Sequence, residues 1–340
     1  MQVLKRICPI GPVLAAIVLA FGLTVAPAGA QEGPSGSNPT AQSVNEQQLL
    51  QELNKIQGRV TIPDARAATL EQPRGRDFRE YREGALPWIG GIAVLGIILL
   101  LAVFYFIRGR IRMRSPEAGV KVLRFNAVER LTHWVTATAF IVLAITGLNF
   151  IFGKRLLMPL IGPDAFSVWS QWSKYAHDFF SWAFILGIVV MTVLWVWDNL
   201  PDRYDGHWLR VGGGMFDKSN RTHPPAARFN AGQKLIFWSV IIGGIALTVS
   251  GLFLLFPFTY ADVNGMQLAQ TIHATVGVLM VAVIIAHIYI GTLGMEGAYE
   301  AMGSGTVDLN WAKEHHSVWV EKQGAKTEPA PEPSAPRPAE

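Results

Sequence analysis

The sequence predicts an all-α membrane fold: a four-helix transmembrane bundle with one extra N-terminal transmembrane helix, which itself follows a cleaved signal peptide. Three observations predict it. Five apolar stretches are long enough to cross a bilayer. Of the 340 residues 50% are hydrophobic and 16% are charged, whereas soluble domains carry about a quarter charged residues. Arginine and lysine gather in alternate connections between the apolar stretches, as the positive-inside rule requires. A disordered chain, a nucleic-acid module and a disulfide scaffold are excluded by this composition.

Residues 1–30 read as a secretory signal. Lys5 and Arg6 make a short basic start, an apolar run extends from Val13 to Val25, and Ala28-Gly29-Ala30 supplies the small residues that precede cleavage. Cys8, the single cysteine, lies before the apolar run and leaves with the signal. The mature chain then has no thiol for a disulfide, a CxxC redox site, an iron–sulfur cluster or a covalently attached c-type haem.

Residues 31–84 are rich in Gln, Glu, Ser, Asn and Pro and are expected to form a flexible exported segment, either a tether or an arm that docks a partner. Within it, residues 44–56 have the pattern of a short amphipathic helix.

The extra transmembrane helix is expected at 85–108, where Trp88 to Ile107 contains no charge. Arg108, Arg110, Arg112 and Arg114 follow it, which makes that end cytoplasmic. The bundle occupies 109–322, with spans at about 131–152, 174–197, 234–258 and 268–294. The connection 198–233 carries Arg203, Arg210, Lys218, Arg221 and Arg228, while 259–267 has no Lys or Arg. The chain is therefore expected in the bacterial inner membrane, with its mature N-terminus periplasmic and its C-terminus cytoplasmic. Residues 323–340, rich in Pro, Ala and Glu, are expected to be a disordered tail. Trp169, Trp172, Trp195, Trp197 and Trp238 lie near span ends and read as an interfacial belt.

Four histidines fall within the spans: His133, His177, His273 and His287. An ionisable residue in a membrane helix marks function. His133 lies at the cytoplasmic start of its span and His177 at the external start of the next. His273 and His287 share the last span and, being fourteen residues apart, project from one face roughly 21 Å apart along its axis. Each membrane side thus has two imidazoles on different helices: His133 with His287 inside, and His177 with His273 outside. Two facing imidazoles are the axial ligands that six-coordinate b-type haem iron needs, so two haems are expected. A haem-free transporter or anchor is the rival reading. Gly147, Gly187, Gly251 and Gly277 lie in these spans, where they serve either close approach to a macrocycle or helix packing. Asp178, next to His177, is expected to point to another face.

The segments RLTHWVTATAFIVLAITGLNF, FNAGQKLIFW and WAKEHHSVW, together with the two histidines of the last span, resemble the cytochrome b (gamma) subunit of membrane-bound respiratory formate dehydrogenase. The likeness covers about residues 120–322. Hydrogenase and thiosulfate reductase cytochrome b subunits belong to the same broader group. The resemblance implies haem ligands at His133, His177, His273 and His287. It also implies a quinone site at Asn230, Gly232 and Gln233, with His287 beside it. Read alone, NAGQK is a polar helix start in which Asn230 is an N-cap. The resemblance further implies an iron–sulfur subunit and a molybdenum- or tungsten-dependent catalytic subunit as partners. Electrons from formate would cross two b haems to ubiquinone or menaquinone. The signal, the exported segment and the extra helix are additions on which the resemblance is silent.

Overall fold

A computed structural model of the chain describes residues 73–219, 221–324 and 327–329. The described residues all belong to the unit Glu71–Glu340. The signal peptide and most of the exported segment, including 44–56, lie outside the described residues.

The elements, in chain order, are α1 (Pro73–Glu80), α2 (Leu86–Arg108), β1 (Val120–Leu123), α3 (Ala127–Leu148), α4 (Pro163–Trp195), α5 (Asp205–Arg210), α6 (Ala231–Leu255), α7 (Val263–Tyr289), β2 (Thr306–Asp308), α8 (Leu309–His315), α9 (Ser317–Gln323) and β3 (Thr327–Pro329). Five helical stretches are long and apolar enough to cross a membrane, so the chain is a multi-pass membrane protein.

Two of the sequence expectations are corrected at helix starts. Residues 73–84, read as the end of a flexible segment, are helical and continue into α2 through a π-helical turn at Tyr81–Ala85. Arg79 and Glu83 pair one turn apart, and the Tyr81 hydroxyl bonds to Thr275 Oγ1 on α7. The stretch is polar, so it has no apolar periodicity to announce it. Helix α4 begins at Pro163 rather than near 174. Pro163 occupies its first turn with Asp164 behind it, a start that suits the helix dipole and needs no apolar run.

The helices pair as two hairpins, α3 with α4 and α6 with α7; α4 also meets α6, and α2 lies against α7. Small residues set the close approaches, as expected where lipid provides no hydrophobic drive between helices. A methyl on Gly244 would stand 2.8 Å from Ile188, and one on Gly90 would stand 3.1 Å from Phe152 and 3.2 Å from Val278. Gly187 faces Thr136 in the same way. Three span helices start on side-chain caps. Asn126 with Glu129 and Asn230 with Gln233 form reciprocal capping boxes, and Asp262 caps α7. Each such cap is worth about 1 kcal/mol.

One end of the bundle carries a polar cap built from the segments 109–126, 198–230 and 295–324. Strand β1 is the centre of a three-stranded antiparallel sheet between β2 and β3, with Val122 opposite Val307 and Thr327. Thr327–Pro329, inside the tail read as disordered, is therefore paired; the other residues beyond Gly324 lie outside the described residues. Ile111 bridges to Met295, and Val318 N–H donates to Ala226 O. The first two of these cap segments carry four arginines each.

The tryptophan belt needs one correction. Trp172 and Trp197 are exposed, but Trp195 is 5% exposed and donates its indole N–H to Glu129 at 2.8 Å. It belongs to the base of the cap, packed against Phe125 and Phe229. Trp169 and Trp238 donate to Asn149 Oδ1 and Asn199 O.

Candidate functional site

Helix α7 supplies two of the four histidines and meets a different partner helix with each. At the cap end, His287 faces His133 of α3, with ring centres 6.1 Å apart and planes at 62°. Towards the opposite end, His273 faces His177 of α4 at 6.1 Å and 64°. Two imidazole nitrogens each bound about 2 Å from one metal stand about 4 Å apart, which sets the ring centres about 6 Å apart. Both ring-centre separations match that value. Imidazole is also the donor that a six-coordinate haem iron takes from each side.

The spacing alone does not select these pairs. His223 and His315 also lie 6.0 Å apart, but in the cap, where Trp311 covers the His315 ring at 4.9 Å. Burial, then the neighbouring His223, lower the His315 pKa to about 4. Position within the long helices distinguishes the span pairs from this one. Among the described residues, no group of three or more His, Cys, Asp or Glu side chains is placed to hold a bare metal ion.

Each pair has its own surroundings. The Nδ1 atoms of His177 and His273 lie 2.7 Å from Thr146 Oγ1 and 3.1 Å from Ser250 Oγ. The Nδ1 of His133 is buried with no hydrogen-bond partner. Asp178 turns away from the site and pairs with Lys174 at 2.7 Å on the exposed face of α4. Of the four glycines singled out, Gly147 and Gly251 stand against imidazole rings: added methyl groups would lie 3.6 Å from His177 Cε1 and 3.1 Å from His273 Cε1. Gly187 packs on a helix, and Gly277 faces Leu247 at ordinary contact distance.

Below His133, one turn earlier on α3, Glu129 anchors a buried ionic network. Its Oε1 accepts from Arg228 Nη2 at 2.5 Å and from the Trp195 indole, while Arg228 Nη1 reaches Asp198 at 2.7 Å. Arg124, 3% exposed, donates to Arg228 O and stacks over Phe125, Phe229 and Trp319. Burial, then Arg228, lower its pKa to about 9, which leaves it charged at neutral pH. These residues seal the cap beneath the His133–His287 pair. They carry no spacing signal in the sequence.

The NAGQK segment opens α6. Asn230 is its N-cap: its Oδ1 accepts from Gln233 N–H at 2.9 Å, and Gln233 Oε1 accepts from Asn230 N–H at 3.1 Å. With both amide oxygens used locally, each side chain keeps its NH₂ as a donor. Gly232 does permit a close approach, but the group that makes it is the indole of Trp208, 2.7 Å from where a methyl would stand. Trp208 also fits against Gly213, whose φ of 64° lies in the left-handed region. Sequence reasoning passed over Trp208. The run Gly212-Gly213-Gly214 signalled only a turn, and all three glycines have positive φ.

Residues 124–305, more than half of the chain, match the family described as prokaryotic cytochrome b561. The chain belongs to that family. Membership implies b-type haem, which the paired imidazoles fit. The cytochrome b561 match begins at Arg124 and ends at Gly305, so it contains all four span histidines and the NAGQK segment.

The relatives of this cytochrome b561 chain include the cytochrome b556(fdo) subunit of formate dehydrogenase from Escherichia coli K12. That protein is 30% identical over 210 residues, covering 61% of this chain and 95% of the relative. The cytochrome b556(Fdn) subunit of the nitrate-inducible formate dehydrogenase of the same strain is 28% identical over 213 residues, with the same coverage. A formate dehydrogenase cytochrome b556 subunit of Haemophilus influenzae is 22% identical over 207 residues, covering 60% and 84%. The likeness to formate dehydrogenase cytochrome b subunits read from the motifs extends over about 210 residues.

Proposed function

We propose that this chain is the membrane cytochrome b subunit of a formate dehydrogenase complex, carrying electrons from an iron–sulfur subunit through two b haems to a membrane quinone. The observation that carries this reading is the pair of imidazole couples, each at 6.1 Å, one towards each end of a bundle whose relatives are formate dehydrogenase cytochrome b556 subunits.

When bound, haem iron supplies one-electron transfer. The chain supplies everything around it. His133 and His287 hold one haem at the cap end, and His177 with His273 hold the other. Residues 1–30 are the cleaved signal, 31–84 the exported segment, 85–108 the added helix, 109–322 the di-haem unit and 323–340 the tail. The arginine-rich cap is cytoplasmic in the inner membrane, and the mature N-terminus is periplasmic. Electrons enter at the outer pair and leave at the cap end. Formate oxidation belongs to a molybdenum- or tungsten-dependent partner, since no cysteine follows Cys8 in this chain.

The quinone head group is assigned to the start of α6, where the side-chain NH₂ groups of Asn230 and Gln233 donate to its carbonyl oxygens. Gly232 admits Trp208, whose indole forms a wall of the site, and His287 brings the electron source. Proton access comes from the cap side.

Two measurements test this. A pyridine haemochrome assay with a reduced-minus-oxidised spectrum should give two b haems per chain; no haem in folded, haem-supplied protein would sink the electron-carrier reading. For quinone, Asn230→Asp keeps the capping oxygen and removes the NH₂ donor. It should impair quinone reduction with both haems spectrally intact, and unimpaired reduction would move the site elsewhere.

A further inference from the structure

The two hairpins of the bundle repeat one local arrangement. Helix α3 carries Thr146-Gly147-Leu148 and α6 carries Ser250-Gly251-Leu252. In each hairpin the hydroxyl of the first helix meets Nδ1 of a histidine on the second: Thr146 with His177, and Ser250 with His273. In each, the glycine that follows lies beside Cε1 of that same imidazole. A methyl at Gly251 would crowd the ring at 3.1 Å, whereas one at Gly147 would touch it at an ordinary 3.6 Å.

The direction of these hydrogen bonds follows from proton counting. A hydroxyl has one proton to give and two lone pairs to receive with. Thr146 Oγ1 lies 2.7 Å from Val142 O and 3.2 Å from Leu143 O, and both are acceptors. Ser250 Oγ lies 2.6 Å from Ala246 O and 3.3 Å from Leu247 O. Each hydroxyl spends its proton on its own helix, so each must accept from the imidazole. Both histidines are thereby fixed as Nδ1–H tautomers, which leaves the Nε2 lone pair bare for a metal. The cap-end pair is built differently: the Nδ1 of His133 is buried with no partner.

An imidazole that donates Nδ1–H to a fixed acceptor becomes a stronger electron donor to its metal and favours the oxidised state. We propose that Thr146 and Ser250 are positioning residues that lower the reduction potential at the His177–His273 site below that at His133–His287. The inference rests on the two-haem assignment above. It gives the proposed direction of flow a cause, because electrons entering at the outer pair then move downhill to the cap end.

The test is a potentiometric titration of the full chain with its haems, read in the visible spectrum. Wild-type protein should titrate in two steps, and His273→Ala should abolish the lower one. Thr146→Val should raise the midpoint of the lower step, cutting the oxidised-to-reduced ratio at fixed potential by a factor of ten or more, which is 59 mV for a one-electron couple. Thr146→Ser, which restores the hydroxyl, should return the wild-type value. Ser250→Ala removes a single oxygen and should raise the same step, which keeps the idea testable if Thr146→Val loses haem. Two haems with both steps unmoved in Ser250→Ala and Thr146→Val, or movement of the upper step instead, would overturn the proposal. Absence of haem in the wild type would instead overturn the assignment on which it rests.

Discussion

The ammonium of Lys234, in the first turn of α6, is 5% exposed and lies 2.9 Å from the Asp205 carboxylate on α5. Asp202 closes the other side at 2.9 Å. This bridge fastens the short helix that carries Trp208 to the helix start that carries Asn230 and Gln233. Lys234→Ala leaves two carboxylates facing one another without a counter-charge. Breaking a buried pair in this way costs on the order of 3 kcal/mol. A thermal melt of the detergent-solubilised protein should show the loss, and proteolysis should become faster between residues 200 and 230. An unchanged melt would mean that the bridge contributes nothing to stability.

The geometry of α7 makes substitutions of the four span histidines fall into two classes. His177→Ala and His273→Ala should each remove the same haem and spare the other. His133→Ala and His287→Ala should each remove the second. Low-temperature spectra that resolve the two α-bands provide the check. Loss of different haems from His177→Ala and His273→Ala would refute the pairing.

Two neighbouring glycines should respond unequally to the same change. A methyl at Gly251 would stand 3.1 Å from His273 Cε1, closer than a comfortable contact, so the ring must shift. A methyl at Gly147 would stand 3.6 Å from His177 Cε1, at ordinary contact distance. Gly251→Ala should therefore lower haem occupancy or broaden the ferric electron paramagnetic resonance signal, and Gly147→Ala should leave both close to wild type. Equal effects would show that ring crowding is not the cause.

Acid should loosen the cap before the bundle. His316, fully enclosed, donates Nδ1–H to Ala227 O at 2.9 Å and presents Nε2 to Arg124 at 3.3 Å. Burial, then Arg124, push its pKa well below 6.5, and burial, then His223, take His315 to about 4. Arg228, Glu129 and Asp198 complete the charges around the Arg124 side, and Glu314 stands beside His315. Both pKa values are lowered on folding, so the opened cap binds more protons than the closed one below about pH 6.5. The stability these histidines contribute is complete above that pH and declines as the pH falls towards 4. Hydrogen exchange at residues 309–320 should accelerate over this window, with α3 and α6 unaffected, and His316→Asn should flatten the dependence. Exchange that is independent of pH would contradict the assignment.

Much of the bundle was legible because membrane solvation imposes itself on every residue of a span. The charge-free run before Arg108 marks α2. The fourteen-residue interval between His273 and His287 already implied two sites on one helix face. Asn230 was readable as a cap because capping is local chemistry, and the capping box is there. What escaped the sequence depends on the register between helices. Thr146 and Ser250 look like ordinary small polar residues until the neighbouring helix brings an imidazole to each. Trp195 reads as an interfacial residue by position, yet Phe125, Phe229 and Glu129 from other segments enclose it. The polar helix before Leu86 has no apolar stripe; the Tyr81 hydroxyl meets Thr275, and Arg155 donates to Glu83 O.

That continuous helix has a mechanical consequence. From Gly75 to Arg108 it runs for 34 residues, about 51 Å at the usual rise, against about 30 Å of hydrocarbon. Near its top it is tied to α7 through Tyr81, and at its base Arg108 grips Met215 O and Asp217 O at 2.8 and 2.7 Å. A rod pinned at two heights cannot slide or swing independently of the bundle. It acts as a mast: Gly75 is carried at a set elevation on the α7 side, and a pull applied there reaches the 215–217 loop as tension along a single stiff strut.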